Sequence, residues 1–158
     1  MVRPLGAAVA LAVVAAAGCI PFIMRGDVIR HDAGWTITLE ALKDGPNSLQ
    51  TGGDNTYAVP EKGLRFLWAW VKIRNDINAT RVFGYDSCDM DLDDDAVLPT
   101  IVGWLFGTID ERQESYAPGQ IRDRRLIFSY PDGRLPTRIR CGNMIFDVPG
   151  PRPRQASR

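Results

Sequence analysis

Residues 64–75 read Leu-Arg-Phe-Leu-Trp-Ala-Trp-Val-Lys-Ile-Arg-Asn, and the second half of that run alternates between apolar and charged positions. Successive side chains of a strand point to opposite faces, so Val71-Lys72-Ile73-Arg74 sets the phase of the whole segment. Leu67, Ala69, Val71 and Ile73 then face a core, and Phe66, Trp68, Trp70, Lys72 and Arg74 face the other way. A period of two over this length excludes a helix and requires a second layer to cover the apolar face.

The rest of the chain repeats the pattern in shorter pieces. Gly34 to Leu42 alternates, with Trp35, Ile37 and Leu39 on one face. Lys43 to Gly63 is polar and rich in Gly-Pro, Gly-Gly and Asp-Asn punctuation, and reads as a long loop. Short strands are expected near Thr80–Phe83, Cys88–Leu92 and Ala96–Val102, with a turn at Asp93-Asp94-Asp95. Tyr116 to Gln120 turns into a strand over Ile121–Tyr130, in which Leu126, Phe128 and Tyr130 share a phase. Pro131-Asp132-Gly133 turns again, and Thr137 to Val148 closes the fold. About seven short strands separated by turns predict an all-β sandwich over residues 34–148. The Pro/Arg-rich segment 149–158 is expected to be disordered.

The N-terminus carries a different signal. Arg3 precedes an uncharged run from Pro4 to Met24, which contains Ala16-Ala17-Gly18-Cys19. One cation, an apolar stretch and small residues before a cleavage point make a secretory signal. Small residues ending directly on a cysteine are the pattern of a bacterial lipoprotein signal: the Cys19 thiol is the nucleophile that takes lipid, and Ala17 and Gly18 fit a narrow peptidase cleft. Residues 1–18 are read as the signal peptide and 19–33 as a lipidated tether. Ala16 stands where such signals usually have Leu. The competing reading is an uncleaved anchor, since 21 uncharged residues could span a bilayer; Pro4, Pro21 and the alanine-rich middle weigh against it. The expected location is the cell envelope, held to a membrane and facing the periplasm or the outside.

With Cys19 lipidated, Cys88 and Cys141 remain as an even pair in an exported chain, where disulfides persist, and are expected to bond. Two cysteines 53 apart with one histidine at His31 do not make a zinc site. The 140 residues after position 18 suit one domain. Basic and acidic residues balance at 19 each, so no global field points to nucleic acid.

Several segments together resemble a known family. They are Lys62-Gly63 and Arg74-Asn75 at the ends of the long strand, Pro118-Gly119-Gln120, and Ile127-Phe128-Ser129-Tyr130-Pro131. Over about residues 34–148 the chain is similar to the uncharacterised immunoglobulin-like domain of bacterial lipoproteins and cell-surface proteins. The resemblance implies an immunoglobulin-like sandwich and brings no catalytic residues. The Trp68/Trp70 pair and the apolar Trp104-Leu105-Phe106 insertion depart from it.

Three constellations bear on function. Asp89, Asp91 and Asp93, within an acidic cluster from Asp86 to Asp95, copy the first ligands of a calcium loop. Asp94 replaces the required glycine and Thr100 the bidentate glutamate, so this is no EF-hand. The plain reading is an outward-facing hairpin, and the sharper one a calcium-binding or enzymatic envelope protein built on that cluster. Phe66, Trp68 and Trp70 form an aromatic stripe that either docks a protein or carbohydrate partner or is covered by neighbouring chain. Arg122, Arg124 and Arg125, with Asp123, read as a solvated strand face. No Gly-x-Ser-x-Gly or Ser/His/Asp arrangement supports nucleophilic catalysis. The resulting expectation is a non-catalytic binding or accessory module without a cofactor.

Overall fold

The computed structural model describes residues 22–45, 49–50, 57–58, 60–92, 95–104, 107–109 and 112–150. Their strands, in chain order, are β1 (Phe22–Asp32), β2 (Trp35–Asp44), β3 (Leu49–Gln50), β4 (Tyr57–Ala58), β5 (Leu64–Asn75), β6 (Arg81–Gly84) and β7 (Cys88–Leu92). They continue with β8 (Asp95–Val97), β9 (Ile101–Trp104), β10 (Gly107–Ile109), β11 (Gln113–Tyr116), β12 (Ile121–Pro131), β13 (Pro136–Cys141) and β14 (Met144–Asp147). One sheet has the order β1-β2-β5-β12-β9-β10. The facing layer combines β14-β13-β7-β8 with the pair β11-β6, and β3 pairs with β4. The fold is a β-sandwich.

β5 lies between β2 and β12, which explains its composition. Leu67, Ala69, Val71 and Ile73 enter the main core, together with Trp35, Ile37 and Leu39 of β2 and Leu126, Phe128 and Tyr130 of β12. The facing layer contributes Phe83, Tyr85, Met90, Leu92, Tyr116, Ile139 and Phe146. Lys72 and Arg74 are exposed on the opposite face, as the alternation requires. A bulge between Leu39 and Ala41 inverts the parity of β2, so Leu42 also becomes fully buried.

The structure corrects four sequence expectations. The tether expected over 19–33 is largely β1, paired with β2 from Phe22↔Lys43 to Asp32↔Trp35. Register shifts at Phe22/Met24 and Arg25/Val28 scramble its parity, which hid the strand: Ile23, Met24 and Val28 all pack on the core despite mixed positions. The single strand expected over Ala96–Val102 divides at Leu98-Pro99-Thr100, with β8 in one layer and β9 in the other. Proline cannot donate to a ladder, so the chain changes sheets there. The closing segment 137–148 is a hairpin, with Gly142 at φ 61° opening a two-residue turn, the place where such turns take glycine. Within the expected loop 43–63, β2 runs on to Asp44, and Leu49↔Ala58 and Gln50↔Tyr57 pair. The turn expected at 93–95 has its first two residues, Asp93 and Asp94, outside the described residues, as are 1–21 and 151–158.

Candidate functional site

Cys88 and Cys141 sit directly opposite each other on β7 and β13, with Cα atoms 4.0 Å apart, and are joined by a disulfide. Both are buried. The bond closes the end of the β7–β13 ladder, where Gly142 N–H donates to Ser87 O at 2.9 Å. Cys19 lies outside the described residues.

The aromatic stripe forms a small second core on the outer face of the six-stranded sheet. Phe66 is 2% and Trp68 4% exposed, grouped with Ile127, while the half-buried Trp70 and Ile101 pack against them. The Trp68 and Trp70 rings are 5.7 Å apart. The Arg125 guanidinium sits 5.6 Å from the Trp68 ring. Phe66 and Trp68 are packed side chains and offer no open face to a partner.

In the acidic cluster, Asp89 and Asp91 alternate outward from β7 and both face Arg140 of β13. The Arg140 contacts are 2.9 Å to Asp89 Oδ1 and 3.0 Å to Asp91 Oδ1. Asp86 pairs with Arg112, and Asp95 with Arg134. The Asp89 and Asp91 carboxylates act as cross-strand ion-pair partners. Asp93, the third calcium candidate, lies outside the described residues, and no group of three metal-ligating side chains occurs among those described.

His31 heads a hydrogen-bonded chain. Thr36 Oγ1 donates to Asp76 Oδ2 at 2.5 Å, so the 2.6 Å contact with His31 Nδ1 has the ring N–H donating to the hydroxyl. A nucleophilic hydroxyl needs the reverse polarity, with a ring nitrogen accepting its proton. This chain fastens the β1–β2 turn to the segment after β5. Burial alone would raise the Asp76 carboxyl, but hydrogen bonds from Thr36 and Arg74 hold it below the usual range.

Two of the arginines expected on a solvated face instead enter an enclosed ion-pair cluster. Arg124, 11% exposed, meets Glu114, 13% exposed, through Nε–Oε2 and Nη2–Oε1 contacts of 2.7 Å each. Arg122 Nη1 adds a third contact at 2.7 Å. Tyr85 donates its hydroxyl to the same carboxylate and lies 3.2 Å from the Tyr116 hydroxyl. Burial first, then the hydrogen bond to Glu114, pushes the Tyr85 hydroxyl far above its ordinary pKa. Burial works to raise Glu114, but hydrogen bonds from Arg124 and Tyr85 and the two guanidinium charges outweigh it and hold the carboxyl low. Neither Glu114 nor β11 stands out in the sequence, because Gln113-Glu114-Ser115-Tyr116 is too polar to signal a strand. The one available signal is an acidic residue two positions before a tyrosine and followed by an arginine-rich strand.

A cleft of about 250 Å³ opens at one end of the sandwich. It is lined by the β1–β2 turn (Asp32, Ala33), β6 (Arg81–Gly84) and the β13–β14 turn (Cys141, Gly142), together with Trp35. The Arg81 guanidinium lies 4.9 Å over the Trp35 ring, and its Nη1 donates to Ala33 O at 2.6 Å. Asp32 accepts from Asn143 Nδ2 at 3.2 Å. Turns far apart in the chain build this cleft, so no single segment announces it.

No family model matches the chain, and no curated protein matches it. Among solved structures it is similar to a conserved protein from Bacillus anthracis, with TM-score 0.54 and 9% identity over 78% of this chain and 94% of that one. It is also similar to an uncharacterised β-sandwich protein from Clostridium difficile, with TM-score 0.48 and 16% identity over 70% of this chain and 76% of that one. A Listeria monocytogenes protein of unknown function matches with TM-score 0.46 and 11% identity over 71% of this chain and 68% of that one. At 9% identity the likeness to the Bacillus anthracis protein concerns the fold alone.

Proposed function

We propose that this chain is a lipid-anchored protein of the bacterial envelope, whose sandwich is an immunoglobulin-like, non-catalytic binding module. The observation that carries the reading is the spacing between Ala16-Ala17-Gly18-Cys19 and the fold: β1 begins at Phe22, three positions after the cysteine. Three residues reach about 10 Å at most. Lipid on Cys19 would therefore hold the start of β1 against the membrane. The turn that ends β1 lines the cleft, roughly 30 Å away along an 11-residue strand. The anchor would thus turn the cleft away from the bilayer, where a partner could reach it. The Cys88–Cys141 disulfide suits the oxidising compartment to which such a signal leads.

Metabolic labelling with a palmitate analogue tests the anchor. Wild type should carry the label in the membrane fraction, and Cys19→Ser should lose both label and membrane retention. Label persisting in Cys19→Ser would overturn the reading.

A further inference from the structure

Among the described residues, β6 is paired on one side only. Its register with β11 runs Arg81↔Tyr116, Val82↔Ser115, Phe83↔Glu114 and Gly84↔Gln113, and Tyr85 N–H donates to Arg112 O at 2.8 Å as the next rung. In an antiparallel pair, residues alternate between bonding their partner and pointing their backbone groups away. Tyr85, Phe83 and Arg81 therefore bond toward β11, and Val82 and Gly84 present theirs to the opposite edge. Ser87 Oγ takes the Gly84 carbonyl at 2.7 Å. The N–H and C=O of Val82 and the N–H of Gly84 have no partner among the described residues.

That edge faces the cleft, because β13 stops there. β13 follows β7 as far as Cys141↔Cys88 and then reverses through Gly142-Asn143, and no described strand pairs with β6 on that side. All four residues of β6 line the cleft, opposite Cys141 and Gly142. Its volume falls below the roughly 300–1,000 Å³ of small-molecule sites. Val82 is 55% exposed, and it and Gly84 both line the cleft.

Charge and polarity agree on the occupant. Arg81 makes no ion pair among the described residues; its guanidinium lies at the cleft wall over Trp35, with Nη1 donating to Ala33 O. A strand running antiparallel to β6 travels from Gly84 toward Arg81, so its C-terminal end arrives beside that guanidinium. We propose that the open edge of β6 takes the C-terminal segment of a partner polypeptide as an added antiparallel strand, its main chain bonded to Val82 and Gly84 and its terminal carboxylate to Arg81. Strand addition supplies main-chain hydrogen bonds, and a guanidinium holds a carboxylate by two parallel ones. The inference deepens the binding-module reading and stands apart from the anchor: failure of palmitate labelling would leave it intact, and its own failure would leave the anchor intact.

The test is amide hydrogen exchange by nuclear magnetic resonance on isotopically labelled full-length protein. The probe is an N-acetylated hexapeptide of alternating threonine and valine with a free C-terminal carboxylate. At saturation, exchange at Val82 and Gly84 should slow by about tenfold or more. The C-terminal amide of the same peptide should bind about fivefold more weakly, and Arg81→Gln should reduce the free acid to that level. Val82→Pro removes an N–H that has no partner among the described residues, and should abolish binding with the rest of the spectrum retained. If Val82→Pro does not fold, the wild-type exchange data and Arg81→Gln still decide. Unchanged exchange at both amides in millimolar peptide would overturn the proposal, as would wild-type affinity in folded Val82→Pro. Protection that rises with protein concentration in the absence of peptide would overturn it too, assigning the edge to a second copy of the chain.

Discussion

Glu114 and Arg124 meet through two parallel contacts of 2.7 Å, and the pair ties the short β11–β6 sheet to β12 of the six-stranded sheet. Arg122 and Tyr85 complete the environment of the carboxylate. Removing one member of an enclosed pair leaves the other charge short of partners, which costs more than the pair contributes. Glu114→Gln should therefore destabilise the protein by about 3 kcal/mol, read as a lower urea midpoint with an unchanged slope. Tyr85→Phe, which removes one neutral donor, should cost about 1 kcal/mol.

The same carboxylate should shape the acid limb of stability. Its folded pKa lies below the ordinary 4.5, so the unfolded chain binds the proton first. The contribution is fully present above the unfolded value and is lost as pH falls below 4.5 through the folded value. Asp76, lowered from 3.8, acts in the same direction over a lower range. Urea unfolding from neutral to strongly acidic pH should show wild type losing stability below 4.5 and Glu114→Gln losing less over that interval. Parallel curves would mean that Glu114 is not coupled to folding.

Asn75 is fully buried at the end of β5 and ties two loops together. Its Nδ2 donates to Ala79 O at 2.7 Å and Tyr116 O at 3.1 Å, with Ala117 O at 3.3 Å, while Oδ1 accepts from Ile77 N–H at 3.1 Å. Asn75→Ala should cost about 2–3 kcal/mol by leaving these groups unpaired. Asn75→Asp is nearly the same shape but places an oxygen where three carbonyls need a donor, and should be at least as damaging. Thermal unfolding checks both, and an Asp variant close to wild type would refute the donor assignment.

Ala33 has φ 46° and Gly34 φ 78° in the two-residue turn between β1 and β2. A turn with both central residues at positive φ is the one that favours Asn-Gly. Alanine in the left-handed region costs roughly 1–2 kcal/mol, and asparagine relieves part of that strain. Ala33→Asn should raise stability by about 0.5–1 kcal/mol and the melting temperature by a few degrees. Ala33→Val should lower both.

Much of the central architecture was legible in single segments. The phase read for Leu64–Asn75 places Leu67, Ala69, Val71 and Ile73 in the core, and β7 spans the same Cys88–Leu92 as the expected strand. These strands announce themselves because packing on both sides holds a strict period of two. β1 and β11 did not, for different reasons: bulges broke the parity of one, and a polar face turned toward half-buried arginines disguised the other.

What the sequence determined alone is therefore local: the alternation that makes strands, the glycine and proline positions that end them, and the Cys19 pattern that precedes the domain. Tertiary structure decided which surfaces are open. Arg124 lies 10 residues from Glu114 in sequence, yet whether it is solvated or paired depends on β11 folding back over β12. Phe66 and Trp68 look like a docking stripe in one dimension and are buried in three. The edge of β6 that no described strand covers lies by the turn at Cys141, 53 residues from its partner Cys88. Exposure and unpaired backbone groups belong to the packing of distant segments, and periodicity within one segment carries no record of them.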